Sequence, residues 1–385
     1  MGTVTTVLLT VLIFGILIFV HELGHFLACR IFGVRVNEFA IGMGPKLFSV
    51  KSKKSGTVYS IRLLPIGGFN NIEDGSNDDG DNSEEITAIA EAEQTEQVEA
   101  VKTLPPDAFP AKPVWQRMII ILAGSIMNLV LGFIIMAMVV LRKDVYASTT
   151  FAVFYDPAEM DRYAEEKLDM KEFQYLAEYG GLKVGDEVVK VGNRYVFTGE
   201  EIAYNVFQLG GGKADFTVIR DGKEIVIKDV QFPTRTEQGV TVGRANFYVK
   251  PEEKNFVNTV KQTFFGGINY IVQVFDSISG MVTGKYGIEH MSGPIGVGEV
   301  IGQAAGIGVS ALLGITVFLA MNLGVFNLLP IPGLDGGKFI FLLIEGIIRR
   351  PLPKKVEEYS TMVGMVLLFG LVFVVMFKDV FAIIY

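Results

Sequence analysis

Cysteine is almost missing from this 385-residue chain: Cys29 stands alone, which excludes an intramolecular disulfide framework and any metal site built from several thiolates. Histidine is scarce as well, with three residues, two of them four positions apart. Charge is thin, at 20% of residues against about a quarter in an ordinary soluble domain. Its balance is also wrong for a polyanion partner. A formal net charge of −8 leaves no basic surplus to neutralise phosphates, so generic nucleic-acid binding is excluded. Against these absences stand 50% apolar residues and a mean hydropathy of +0.40. The length would suit two or three soluble domains of about 150 residues, but the apolar residues arrive in long uncharged blocks rather than as periodic faces.

A helix crossing a bilayer core of about 30 Å needs about 20 apolar residues at 1.5 Å each. Four stretches meet or approach that length: Val4–Val20, Met118–Leu141, residues 311–329 within the uncharged run Val300–Leu334, and Tyr359–Phe377. The Gly-rich residues 302–310 are expected as a loop or the lead-in to a helix. The first stretch has no basic leader and no small-residue cleavage site, and it ends on His and Glu, so it is expected as a retained span. Lys and Arg set the orientation. They gather between spans one and two (Arg30, Arg35, Lys46, Lys51, Lys53, Lys54, Arg62) and between spans three and four (Lys338, Arg349, Arg350, Lys354, Lys355). These connections are therefore expected in the cytoplasm, with both termini and residues 142–290 outside, although Arg142 and Lys143 dissent.

Between the spans the pattern changes. Residues 31–72 read as a membrane-associated β region, with Lys46–Val50 and Thr57–Leu64 joined through a turn at Ser55-Gly56. Within 73–112, residues 73–99 hold eleven Asp or Glu and no Lys or Arg, a self-repelling run expected to be a disordered loop. Residues 145–250 read as a compact α+β domain. It has a polar helix near Pro157–Tyr179, then Gly181-Leu182-Lys183-Val184-Gly185-Asp186. A strand at Glu187–Val191, a helix at Glu200–Leu209 and a hairpin turning at Asp221-Gly222 follow. The GL-x-x-GD turn followed by strand, helix and hairpin resembles a PDZ domain, a fold that takes extended peptides as ligands by strand addition; a plain spacer domain is the alternative. Residues 255–290 hold apolar positions at helical spacing, expected as an amphipathic helix on the membrane surface or against the neighbouring domain. The fold class expected is thus a polytopic α-helical membrane protein of about four spans (1–30, 113–142, 291–338, 356–385), a cytoplasmic-side β region and one extracytoplasmic PDZ-like domain.

His21-Glu22-Leu23-Gly24-His25 closes the first span. On a helix, i and i+4 share a face, so two imidazoles can converge on one tetrahedral Zn²⁺. Glu22 then stands beside the metal, placed to take a proton from the attacking water. Ionisable groups inside a span cost several kcal/mol unless paired or metal-bound, so they mark a use. A catalytic zinc needs a third protein ligand. Cys29 lies one turn beyond His25. Asp335 offers a carboxylate at the end of the third span, in Asn327-Leu328-Leu329-Pro330-Ile331-Pro332-Gly333-Leu334-Asp335-Gly336-Gly337, and is the better candidate.

HExxH in a first span, a PDZ-like insert and N-x-x-P-x-P-x-LDGG in a later span resemble the site-2 protease family, and within it the bacterial RseP-like intramembrane zinc metalloproteases. Ile41–Leu47 is similar to the family's G-x-GP stretch, Pro65–Phe69 to the start of its membrane re-entrant β-loop, and Ser292–Gly296 to its GP-x-G element. The resemblance implies zinc held by His21, His25 and Asp335, with Glu22 as general base. It also implies substrate contacts at Asn327, Gly67 and Gly68. Single-span membrane proteins would be the substrates, cleaved by regulated intramembrane proteolysis at a bacterial plasma membrane; anti-sigma factors and remnant signal peptides are examples. Two departures stand out. Asn70-Asn71-Ile72 replaces an apolar and basic run after the Gly-Gly-aromatic, and one PDZ-like domain replaces the tandem pair of some relatives. The competing expectations are a PDZ-bearing scaffold with a structural zinc site, and a zinc transporter; no internal repeat favours the latter.

Overall fold

The computed structural model describes residues 2–73, 104–157, 175–237 and 239–384. The chain runs through α1 (Thr3–Ile31), β1 (Val36–Lys51), β2 (Val58–Ile72) and α2 (Val114–Arg142). Strands between 146 and 252 follow, with α3 (Gly199–Leu209) among them. Five helices close it: α4 (Phe256–Val282), α5 (Pro294–Ile307), α6 (Val309–Leu328), α7 (Asp335–Ile348) and α8 (Lys354–Ile384). Among the described residues four helices are long and apolar enough to cross a membrane: α1, α2, α6 and the Lys355–Phe381 part of α8. The acidic run beyond residue 73 lies outside the described residues. So does most of the polar helix expected at 157–179, whose last residues are instead two short strands, Tyr175–Leu176 and Glu178–Tyr179. Helix also reaches further into the Gly-rich 302–310 region than expected. It continues to Ile307 and breaks at Gly308, whose φ of 145° suits no other residue type.

Contacts divide the chain into two compact units. One comprises Val7–Leu129 and Leu323–Leu371. Here β1 pairs with β2 antiparallel, Lys51 opposite Val58 and Lys46 opposite Arg62. Both strands then bend, β1 at Gly42 and Gly44 and β2 at Gly67, all with positive φ. The bends bring Glu38–Ile41 between two segments of β2: Ile41 faces Ile61 on one side and Gly68 on the other. Gly68–Ile72 therefore has one strand neighbour among the described residues and forms an edge. Helices α1 and α2 meet at Gly24, where a Cβ would collide with the Ala123 carbonyl. After α6, Pro330 and Pro332 bar helix continuation, and the chain turns into α7, an unexpected separate helix that begins at Asp335. Arg117 of α2 pairs with Glu345 of α7 through both guanidinium Nη atoms, one at 3.1 Å.

The other unit comprises the first six residues, Val130–Asn322 and Val372–Tyr385. Its sheet contains β3 (Tyr146–Tyr155), β4 (Tyr175–Leu176), β7 (Glu187–Val191), β8 (Arg194–Tyr195), β9 (Lys213–Arg220), β10 (Lys223–Gln231) and β13 (Phe247–Glu252), with order β10-β9-β7-β3-β13, β4 on β3 and β8 on β7. Smaller pairs are β5 (Glu178–Tyr179) with β6 (Leu182–Lys183), and β11 (Thr234–Glu237) with β12 (Val240–Gly243). Phe151, Phe154, Phe216 and Phe247 fill the core with Leu182, Ile202 and Val206. Asp186 of the GL-x-x-GD turn accepts from the Lys183 N–H and from Arg220, which explains the Asp at that place. Thr198 and Glu201 form a reciprocal capping box on α3. Helix α4 is tied to this sheet: Gln262 donates to the Ala147 carbonyl, Phe265 stacks on Phe197, and Arg194 pairs with Asp276 at 2.5 Å.

Candidate metal centre

His21 and His25 sit one turn apart inside α1, and Asp335 opens α7. Their ligand atoms form a nearly equilateral triangle. Nε2 of His25 is 3.2 Å from Nε2 of His21, and each lies 3.3 Å from Oδ2 of Asp335. Tetrahedral ligands at the 2.0–2.2 Å usual for Zn–N and Zn–O stand about 3.3–3.6 Å apart. The triangle's edges of 3.2–3.3 Å match the short end of that range.

Proton positions lead the same way. His25 Nδ1 lies 2.8 Å from the Ile120 carbonyl, an acceptor, so Nδ1 carries the proton and Nε2 presents its lone pair to the cluster. Asn128, fully buried on α2, meets His21 Nδ1 at 3.3 Å, and its Oδ1 has no donor among the described residues. Turning that amide over lets the His21 Nδ1–H donate to Oδ1, satisfying the orphan and leaving the Nε2 lone pair to face His25 and Asp335. Three acceptors this close repel unless a cation lies among them. The Ser125 hydroxyl donates to Asp335 Oδ2 at 3.3 Å. Gly124 completes the wall, since a Cβ there would strike His25 Nε2 and stand 2.8 Å from His21 Cε1.

Glu22 lies next to the triangle. Asn70 Nδ2 donates to its Oε2 at 2.8 Å and to its backbone carbonyl at 2.8 Å. Gly68 passes so close that a Cβ would come within 2.9 Å of Glu22 Cγ, so the strand edge runs against the Glu22 side chain. Gly67 forms the bend before it, with φ +79°. Asn327 occupies the last turn of α6, and its half-buried amide finds no partner among the described residues. Cys29 stands apart, buried in an apolar cluster with Ala28, Val34, Val36 and Ile120. Asn70, Ser125 and Asn128 escape the motif reading. A lone Ser and Asn three positions apart in an otherwise apolar span are a legible signal for the last two, because polar groups are costly there.

Known proteins resemble the chain over nearly its whole length. The regulator of sigma-W protease RasP of Bacillus subtilis is 30% identical over 98% of both chains. The zinc metalloprotease RasP of Geobacillus kaustophilus is 28% identical, again over 98% of both, and that of Bacillus licheniformis is 30% identical over 97% of this chain and 98% of its own. The model of peptidase family M50 matches residues 9–371. With HELGH and Asp335 converging as that chemistry requires, the chain belongs to peptidase family M50, the site-2 proteases.

Proposed function

We propose that the chain is a zinc endopeptidase that cuts a peptide bond within or beside a membrane-spanning segment, with His21, His25 and Asp335 holding the metal. The convergence of three lone-pair atoms within 3.3 Å of one another, one residue from a carboxylate on a helix long enough to span, carries this reading. What zinc supplies when bound is Lewis acidity toward the scissile carbonyl and the attacking water. Glu22 accepts the proton of that water and returns it to the leaving amine. The Ile120 carbonyl and Asn128 fix the two imidazole rings, and Ser125 steadies the Asp335 carboxylate.

A substrate helix hides its carbonyls in its own hydrogen bonds, so it must unwind locally before attack. The edge strand Gly68–Ile72 offers backbone partners to the unwound segment, and the bare backbone at Gly67 and Gly68 admits close approach. The Asn327 amide, without a partner among the described residues, is suited to a substrate backbone group. Single-span membrane proteins are the substrates proposed, with anti-sigma factors and remnant signal peptides as the classes; a relative named as a regulator of sigma-W protease supports the former.

The sheet domain is read as PDZ-like, outside the cell, with an extended peptide as its ligand, and the metal site as facing the cytoplasm of a bacterial plasma membrane. The Lys and Arg distribution supports that orientation. On α4, Phe256, Val257, Val260, Phe264 and Phe275 are more than half exposed or nearly so and fall within an arc of about 100° at 100° per residue. That arc suits the membrane surface, while the opposite side holds Gln262 and Asp276 against the sheet domain.

The test is purified protein in lipid discs with a single-span substrate. Wild type should cleave it, and Glu22→Gln should keep its full zinc content while losing roughly 100-fold or more in rate. Equal rates in the two proteins would remove Glu22 from the mechanism.

A further inference from the structure

Asn70 stands at the position where the chain departs from its family's pattern, and it is the hydrogen-bond donor that Glu22 has among the described residues. Side chains two apart on a strand share a face. Gly68 and Asn70 therefore turn toward α1 together, Gly68 by leaving room and Asn70 by filling it. The two N–H bonds of the amide are both committed, one to Glu22 Oε2 and one to the Glu22 carbonyl oxygen, each at 2.8 Å. Turning the amide over would set Oδ1 against two acceptors, so its orientation is forced. Its Oδ1 is buried and has no donor among the described residues, so nothing competes for the amide on that side. The carbonyl contact anchors Asn70 to the helix backbone, and the second hydrogen then reaches the carboxylate at a fixed distance from that backbone. A Glu side chain, otherwise free about three torsions, is held in one of its rotamers.

We propose that Asn70 is a positioning residue for the general base: its amide, carried on the strand edge, fixes the Glu22 carboxylate in the rotamer that serves the metal cluster. The inference rests on Glu22 being the base. It also gives the strand edge a second task, since displacement of Gly68–Ile72 releases the base as well as the substrate strand.

The experiment uses the full-length protein with Asn70→Asp, which keeps the shape and removes both donors, and Asn70→Ala, with Asn70→Ser as the substitute should either fail to fold. Cleavage of a single-span substrate should show kcat lowered about 10–100-fold and KM within about threefold of wild type. Zinc content measured by mass spectrometry should be unchanged. In the metal-free protein, the melting shifts of Asn70→Ala and Glu22→Ala should be less than additive in the double variant, as for groups in direct contact. An unchanged kcat in the folded variants, a raised KM at constant kcat, loss of zinc, or additive melting shifts would each overturn the proposal. Failure of the underlying reading shows separately: a Glu22→Gln protein that still cleaves removes the base, whatever Asn70 does.

Discussion

Gly124 determines how near the α2 backbone comes to the three ligand atoms. Replacing it with Ala puts a methyl against His25 Nε2, so zinc affinity should fall on the order of 10–100-fold, read by competition with a chromogenic chelator. Asp335→Ala should empty the site altogether, and an undiminished zinc content in that variant would point to a different third ligand. His21, Glu22, His25 and Asp335 are legible in the sequence because their chemistry is carried by residue type and, for the first three, by spacing on one helix. The groups that orient them are less so. Asn70 reaches Glu22 across 48 positions and the Ile120 carbonyl reaches His25 across 95, distances over which no local pattern speaks.

Helix α4 shows what an element gains from a polar contact. Asp276 on this helix accepts from Arg194 and from Tyr204 of α3. Burial pushes the Asp276 carboxyl up, but the Arg194 and Tyr204 hydrogen bonds outweigh it and hold the group below its ordinary value of 3.8. A carboxyl lowered on folding stabilises fully above its unfolded value and loses that contribution as pH falls through the folded one. Protease sensitivity of the α4 segment should therefore stay constant from pH 7 to about 5 and rise below about 4. Asp276→Asn should abolish that pH dependence. In the sheet domain itself, Phe216→Ala should cost roughly 3–5 kcal/mol of stability, measured by denaturant unfolding of that domain's signal, because the ring is fully buried. Elements with a clear period, α4 among them, are readable from the sequence. The doubled pairing of β1 with β2 is not, because the bends depend on positive φ at Gly42 and Gly44 of β1 and Gly67 of β2 rather than on any apolar alternation. Helix α7 escapes for a related reason: Pro330 to Gly337 reads as the end of a span, and the amphipathic turn beyond it looks like a connection.

At the scale of the whole molecule, length and composition announce a multi-pass membrane protein, and four helices of the required length bear this out. Which side each connection faces is a question of charge alone. With Cys29→Ser as background, a single cysteine at Asn193→Cys should react with an impermeant maleimide in intact cells. One at Lys53→Cys should react only after the membrane is opened, and the reverse pattern would invert the proposed orientation. The most direct measurement compares membrane proteomes of cells expressing wild type or Glu22→Gln, with new termini mapped by mass spectrometry. Intramembrane proteolysis by this chain predicts termini inside single-span segments that appear with wild type and vanish with Glu22→Gln. The same termini in both cells, at equal abundance, would contradict it.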